Sequence, residues 1–584
     1  MVHDAQTSER GTTGARCFLL SILLLVSPLV AAAADRPYVI RYNSIHHPVK
    51  ASGGMVSTQN AVATRVGVEI LESGGNAVDA AVAIGFALSV TLPRAGNLGG
   101  GGFMLLHTAA TQSTTAIEYY GQAPQAVEKI KLLDSASKLD PKKRHSHLGV
   151  SVPGTVAGLQ HAHTKYGSLA WKKVLEPAIQ LAENGITVTD DLAFALKVYR
   201  SRLLKNGAAA KSFFKENGTT YEPNDVLIQT DLAWTLKRIA QYGADDFYRG
   251  EIAAKITEDM KAHNGALSAQ DLESYRVKEQ APLWGQYRGY SIAFMPPPAS
   301  GVYVQQIMNI LENFDIAKMG ANSADAIHLM SESMRIADVQ RFRYDGGYPQ
   351  YEVPVRGLAS KSHAKKLAAQ INLRKVLPKK RVRHGNPFAD EKRDTTHFSV
   401  IDAQGNTVSN TYTLSSSFGA GVVVEGAGFL LNDHTSNFSL AYGLAGVDQK
   451  KTSKAKSLQP GKRVNSTQSP IIVFKDQKPY LATGSPGGSR IISSVVQLLV
   501  NVLDHKLNIA SATNMPRFHP LRVQGGLELE PGHSLDVFRL LAKKGNVPKY
   551  GSTMGSMQSV MWKKGSFYGA SDPRRPGALT VGVD

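Results

Sequence analysis

The chain is 584 residues long, 42% hydrophobic and 19% charged, with 53 glycines and one cysteine. This composition allows a sizeable core, and length alone leaves open whether it forms several domains or one large α/β body. The formal net charge of +19 invites a nucleic-acid reading, but residues 361–393 carry eleven Lys/Arg against Asp390 and Glu391, without any arginine–aromatic stacking module. A solvated basic connector is expected there, and no nucleic-acid partner.

At the N-terminus, Arg10 and Arg16 precede the apolar run CFLLSILLLVSPLVAAAA, residues 17–34, which ends in the A-x-A triplet Ala32-Ala33-Ala34. The pattern predicts a secretory signal peptide over 1–34 and export to a periplasm or to the outside of the cell. An uncleaved anchor is the alternative; eighteen residues interrupted by Pro28 and ending in four alanines argue against it. No stable membrane span is expected once the signal is removed. Cys17, the only cysteine, would leave with it, so disulfides, thiolate catalysis and cysteine metal sites are excluded from the mature chain.

From Ser57 to Val90 the pattern is helical, with a turn at Gly74-Gly75 and a second, Ala-rich segment apolar nearly all round. NLGGGGFMLLH, residues 97–107, feeds four glycines into a strand. Residues 155–185, 187–242 and 323–343 read mainly as helix. Glu332 and Arg335 on the last of these are expected to form a helix-face pair. MPPPASG at 295–301 is a rigid turn before another helix. After Thr395 the character changes to strands: a hairpin over 393–413, then GVVVEGAGFLLN at 421–432, SPIIVF at 469–474 and YLATGSPGGSR at 480–490. IISSVVQLLVNVLDH reads as a helix. Antiparallel strand pairs joined by tight turns, with helices around them, predict sheets covered by helices.

The hairpin begins with Thr395 and Thr396 directly after the basic connector. A threonine hydroxyl becomes a useful nucleophile when a base stands beside it, and the free α-amino group of the same residue can be that base. Thr395 is internal, so the bond after Asp394 would first have to break. The alternative reading is an ordinary residue at a strand end.

DTTHFSVID, TYTLSSSFGAG, FLLND, STQSP and TGSPGGSRI, together with GMVSTQNAVAT, GGNAVDAAVA, NLGGGGFML, VPGTVAGL, FYRG, PPPASG, GSMQSV and YGASDP, resemble in order and spacing the γ-glutamyltranspeptidases, members of the N-terminal nucleophile hydrolase superfamily. The resemblance covers nearly all of residues 50–584. It implies an α+β, four-layer αββα sandwich and self-cleavage between Asp394 and Thr395. The products would be a large subunit, 35–394, and a small subunit, 395–584, held as a heterodimer. It implies an enzyme that moves a γ-glutamyl group from glutathione or a related amide to Thr395, then to water or an amine acceptor. Thr395 would be the nucleophile, Thr413 the hydroxyl that orients it, and Gly487 and Gly488 the backbone donors to the oxyanion. Ser466 and Thr467 would touch the glutamyl head group. No cofactor is implied. His363, His384, His397 and His434 form no metal-ligand spacing, and no metal is expected.

The chain departs from the family pattern where the head group is held. Tyr120, in EYYGQAP, stands where the family has an arginine for the substrate's α-carboxylate. Asn437, in LLNDHTSNF, stands where an aspartate meets the α-amine; His434 replaces a glutamine and Ser415 an asparagine. Charge-assisted pairs are about twice as strong as neutral ones. An amidohydrolase with altered head-group specificity, accepting glutaryl-type chains, is therefore the alternative expectation.

Overall fold

A computed structural model describes residues 44–135, 138–346, 351–378, 394–440, 454–521 and 523–584. The expected signal peptide, Cys17, His384 and the connector's 379–393 lie outside these residues.

Two seven-stranded sheets form the centre. One runs, in spatial order, Val49–Ala51, Ser566–Ser571, Gln558–Lys563, Lys478–Thr483, Ile471–Lys475, Tyr290–Phe294, Leu283–Tyr287. The other runs Leu579–Val583, Gly54–Thr58, Asp394–Asp402, Thr407–Ser415, Gly101–Thr108, Ser113–Tyr119, Lys278–Gln280. Both are antiparallel in every pairing described, and each sheet contains strands from both sides of the expected cleavage point.

Side chains on a strand point alternately to its two faces, so each strand here serves two cores. Phe103 and Leu105 face the other sheet, joining Ile472, Phe474 and Val560. Met104 and Leu106 face the opposite way, into a helical layer containing Ala77–Thr91. Ile471 and Val473 do the same against a second helical layer built from Gly301–Leu311, Ala324–Tyr344 and Arg490–Leu503. Three cores between four layers make the αββα sandwich. Ala77–Thr91 is buried along its whole length, as its apolar circumference predicts, and is started by a capping box between Asn76 and Asp79.

Three expectations need correction. Ser57 and Thr58 end a strand, Gly54–Thr58, and the helix starts only at Ala61 behind the cap of Asn60. That strand is held by pairing with residues 398–402 and 579–583, which local pattern does not reveal. Residues 421–432 form isolated bridges, Val423 with Leu430 and Leu431 with Gly99, and no regular strand. Gly421, Gly426 and Gly428 take positive φ there and break the extended run. The connector is not solvated throughout. Lys361–Ala368 is a helix whose Ala364, Leu367 and Ala368 pack with Ile310 and Ile336, while Lys361, Lys365 and Lys366 face outward. Glu332 and Arg335 are paired as expected, but buried.

Candidate active site

Asp394 and Thr395 open a central strand of the second sheet. Asp394 pairs with Ser415 and Thr396 with Tyr412, so the register slips and Thr395 alone faces Thr413 and Leu414. This bulge re-aims the side chains on either side of it. The Thr395 hydroxyl donates to Thr413 Oγ1 at 3.3 Å. Thr413 in turn donates to the carbonyl oxygen of Asp394 at 2.5 Å, and its Oγ1 accepts the N–H of Ser415 at 2.8 Å. One hydroxyl therefore touches both the attacking oxygen and the carbonyl it would attack.

The Asp394 carboxylate is anchored by Arg94 at 2.6 Å and faces Arg575 at 3.6 Å; Arg94 also holds Asp191. Burial alone would raise the Asp394 carboxyl, but Arg94 and then Arg575 outweigh it and hold it below the usual carboxylate range. A second buried pair lies beside the hairpin's end. Arg144 Nε meets Asp433 at 2.7 Å, and its Nη2 donates to Ser416 Oγ at 2.6 Å. Asp433 also accepts the Ser416 N–H at 2.8 Å. Burial opposes ionisation of Asp433, yet Arg144 first, with His145 and Ser416, drives its carboxyl far below the usual range. At His145 burial wins instead: it lowers the ring to about 4 despite Asp433, with Arg202 and Arg144 adding to the shift.

The four residues that depart from the family pattern form one cluster. The Tyr120 and His434 rings lie 4.2 Å apart between centroids. Asn437 Nδ2 stands 3.5 Å from both Tyr120 Oη and Ser415 Oγ. His434 Nε2 lies 3.1 Å from the carbonyl of Thr413, which makes this nitrogen the N–H donor. The cluster thus closes around the backbone of the residue that holds Thr395. Tyr120, Ser415 and His434 are all buried.

Gly487 and Gly488 precede the helix Arg490–Leu503 and both take positive φ. Among the described residues, neither N–H is bonded to a protein acceptor, while their carbonyls accept from Arg490 and Ile491. Two unbonded N–H groups at the start of a helix suit a developing negative charge. Ser466 and Thr467 sit on a neighbouring loop. The Ser466 N–H donates to Pro298 and its carbonyl accepts from Ser300, while Thr467 O accepts from Ser469. No hydrogen bond among the described residues joins this loop, or the glycines, to Thr395. Hydrogen bonds and a ring contact tie Thr395, Thr413 and the Tyr120 cluster together, and no hydrogen bond among the described residues ties the other four to them.

Sequence reasoning does not single out Arg94, Asp191, Arg144, Asp433, Ser416 or Arg575. Asp433 lies inside FLLND and Arg94 beside NLGGGG, so the motifs bracket them. Arg144, in KKRHSH, carries no local signal at all.

A family model described as Gamma-glutamyltranspeptidase matches residues 63–582. The glutathione hydrolase proenzyme of Escherichia coli (strain K12) is 44% identical over 575 residues, covering 96% of this chain and 98% of that protein. The crystal structure of a cephalosporin acylase from Bacillus halodurans superposes with a TM-score of 0.83 at 28% identity, over 94% of this chain and 99% of that one. A chain of the Helicobacter pylori gamma-glutamyltranspeptidase structure gives a TM-score of 0.53 at 39% identity, over 57% of this chain and 93% of that one.

Proposed function

The chain belongs to the gamma-glutamyltranspeptidase family, and we propose that it is a self-processing γ-glutamyltransferase and glutathione hydrolase proenzyme whose chemistry runs through Thr395. In processing, the Thr395 oxygen attacks the carbonyl carbon of Asp394, the C–N bond breaks, and an ester joins the two residues. Water then hydrolyses this ester, leaving an Asp394 α-carboxylate and a free Thr395 α-amine. The Thr413 hydroxyl, bonded to both Thr395 Oγ1 and the Asp394 carbonyl, is the observation that carries this reading. It draws density toward the carbonyl oxygen while its own oxygen accepts from the nucleophile.

In turnover the freed α-amine takes the Thr395 proton and the oxygen attacks the substrate's γ-amide carbonyl. The oxyanion is received by the N–H groups of Gly487 and Gly488. The amine leaves with the proton, and water or an amine acceptor releases the γ-glutamyl group from the ester. The subunits are 35–394 and 395–584, and both sheets contain strands from each. That interleaving is what keeps the pair together after the cut. Export of the precursor, to a periplasm or beyond, is part of the same reading. No helix among the described residues is long and apolar enough to cross a membrane.

Mass spectrometry of the purified protein tests the reading: two fragments meeting at Asp394/Thr395 support it, and an intact chain that hydrolyses amides overturns it.

A second reading rests on Tyr120 and Asn437, which offer the substrate's carboxylate and amine a phenol and an amide instead of opposite charges. It is an acylase of the same mechanism that prefers glutaryl-type chains. Comparing kcat/KM for γ-glutamyl and glutaryl anilides separates the two.

A further inference from the structure

We propose that His147, Asp259 and His263 bind one divalent transition-metal ion of the zinc class, at a structural site apart from the Thr395 chemistry. Asp259 and His263 stand four residues apart at the end of the helix Glu251–Ala262, so both project from one face. His147 comes from the short 3-10 turn His147–Gly149, across from that helix end. The Asp259 carboxylate reaches both rings with different oxygens: Oδ2 lies 3.1 Å from His147 Nε2, and Oδ1 lies 3.2 Å from His263 Nδ1. The two imidazoles stack with centroids 4.2 Å apart and planes 5° from parallel.

The three ligand atoms lie within 4.8 Å of one another. A tetrahedral zinc ion with bonds of about 2.0–2.1 Å needs ligand atoms roughly 3.3 Å apart; His147 Nε2 fits with Oδ2 and His263 Nδ1 with Oδ1, each pairing using a different carboxylate oxygen. Because a metal lies in the plane of each imidazole that binds it, the half-exposed His263 ring has to turn out of its stack with His147 to bind the same ion, giving up the 2.9 Å contact between its Nδ1 and the Asp259 carbonyl. Two imidazoles and a carboxylate suit zinc, nickel or copper ions better than calcium or magnesium, which prefer all-oxygen sites. The end of the Glu251–Ala262 helix adds the negative end of its dipole. His147 and Asp259 are buried, whereas the His263 side chain is 52% exposed and leaves the ion an entry path and a position for water.

The same segment carries Arg144, three residues before His147, onto Asp433 and Ser416. A bound ion would tie that segment to the helix end, so its effect is on rigidity and not on acyl transfer. None of the three ligands is hydrogen-bonded to Thr395 or Thr413 among the described residues.

The test is calorimetric titration of tag-free, metal-stripped processed protein with Zn2+, comparing wild type with His263→Ala. His263 is half exposed at a helix end, so its loss should leave the fold intact, which circular dichroism checks. The wild type should bind one more ion per chain than the variant, or the same ion at least ~10-fold more tightly, and Zn2+ should raise its melting temperature but not the variant's. Co2+ should give the visible absorption of a four-coordinate site in the wild type alone. Equal stoichiometry and affinity in both proteins, or no binding by the wild type, would overturn the proposal.

Discussion

Thr395 Oγ1 and Thr413 Oγ1 lie 3.3 Å apart across a bulge, and the second hydroxyl spans the remaining gap to the carbonyl of Asp394. The proposed nucleophile, the hydroxyl proposed to assist it and the carbonyl proposed to be cut are thereby lined up by two adjacent strands of a single hairpin. Rigid sheet neighbours on both sides, Gly54–Thr58 and Gly101–Thr108, hold that alignment.

Replacing the proposed nucleophile gives the clearest outcome. Thr395→Ala should leave a full-length chain without amidase activity, seen as one band on a denaturing gel. Thr395→Ser keeps an oxygen and should process, more slowly.

Thr413 is proposed to act through its neighbours, so its loss should slow and not abolish the reaction. Thr413→Val removes the bond to the Asp394 carbonyl, and processing should slow about 10²–10³-fold, in the range of a positioned proton-handling group. Thr413→Ser restores the hydroxyl and should recover most of the rate. Following fragment appearance after purification checks both, and equal rates in all three proteins would mean that the hydroxyl only serves strand pairing.

How legible this is in the sequence depends on the range of each interaction. The hairpin, the Ala-rich helix and the helix Arg490–Leu503 are set by local periodicity and can be read from the residues alone. Tyr120, Ser415, His434 and Asn437 are spread over more than three hundred positions, and only motif matching makes them one set; their adjacency, with the Tyr120 and His434 rings side by side, is a tertiary fact. Arg144 is invisible because its role exists only where KKRHSH meets the FLLND loop. The same holds for Gly54–Thr58, whose extended form is imposed by residues far along the chain.

The head-group cluster predicts a specificity that can be reversed. Introducing Tyr120→Arg and Asn437→Asp together supplies the opposite charges the zwitterion needs. Each charge-assisted pair that forms is worth about 1.5–3 kcal/mol, so kcat/KM for γ-glutamyl anilides should rise roughly tenfold or more relative to glutaryl anilides. An unchanged ratio would show that other groups already hold the head group.

The Arg144–Asp433 pair makes a stability prediction. Arg144→Ala strands a buried carboxylate, which costs about 3–5 kcal/mol. Lysine cannot reach Asp433 and Ser416 with two separate donors in the same fork, so Arg144→Lys should recover only part of it. The midpoint of urea denaturation at neutral pH measures both.

His397, together with His145, weakens the fold in acid. The His397 ring lies buried between Thr411 Oγ1, 2.8 Å from Nδ1, and Ser399 Oγ, 3.0 Å from Nε2. Burial lowers its pKa from the ordinary 6.5 to about 3. The unfolded chain therefore binds this proton near pH 6.5 while the folded one stays neutral until about pH 3. Stability rises with pH wherever the unfolded state holds more protons, so this contribution is full above 6.5 and falls away as the pH drops toward 3. At pH 4.5 about 2–3 kcal/mol should be lost, from about 1.4 kcal/mol per pH unit. Asp394, with its lowered carboxyl, loses stability in the same direction only at lower pH. His397→Asn should start less stable but show a flatter denaturation midpoint between pH 6.5 and 4.5. A wild-type midpoint that does not move across that interval would mean the buried ring accepts its proton in place.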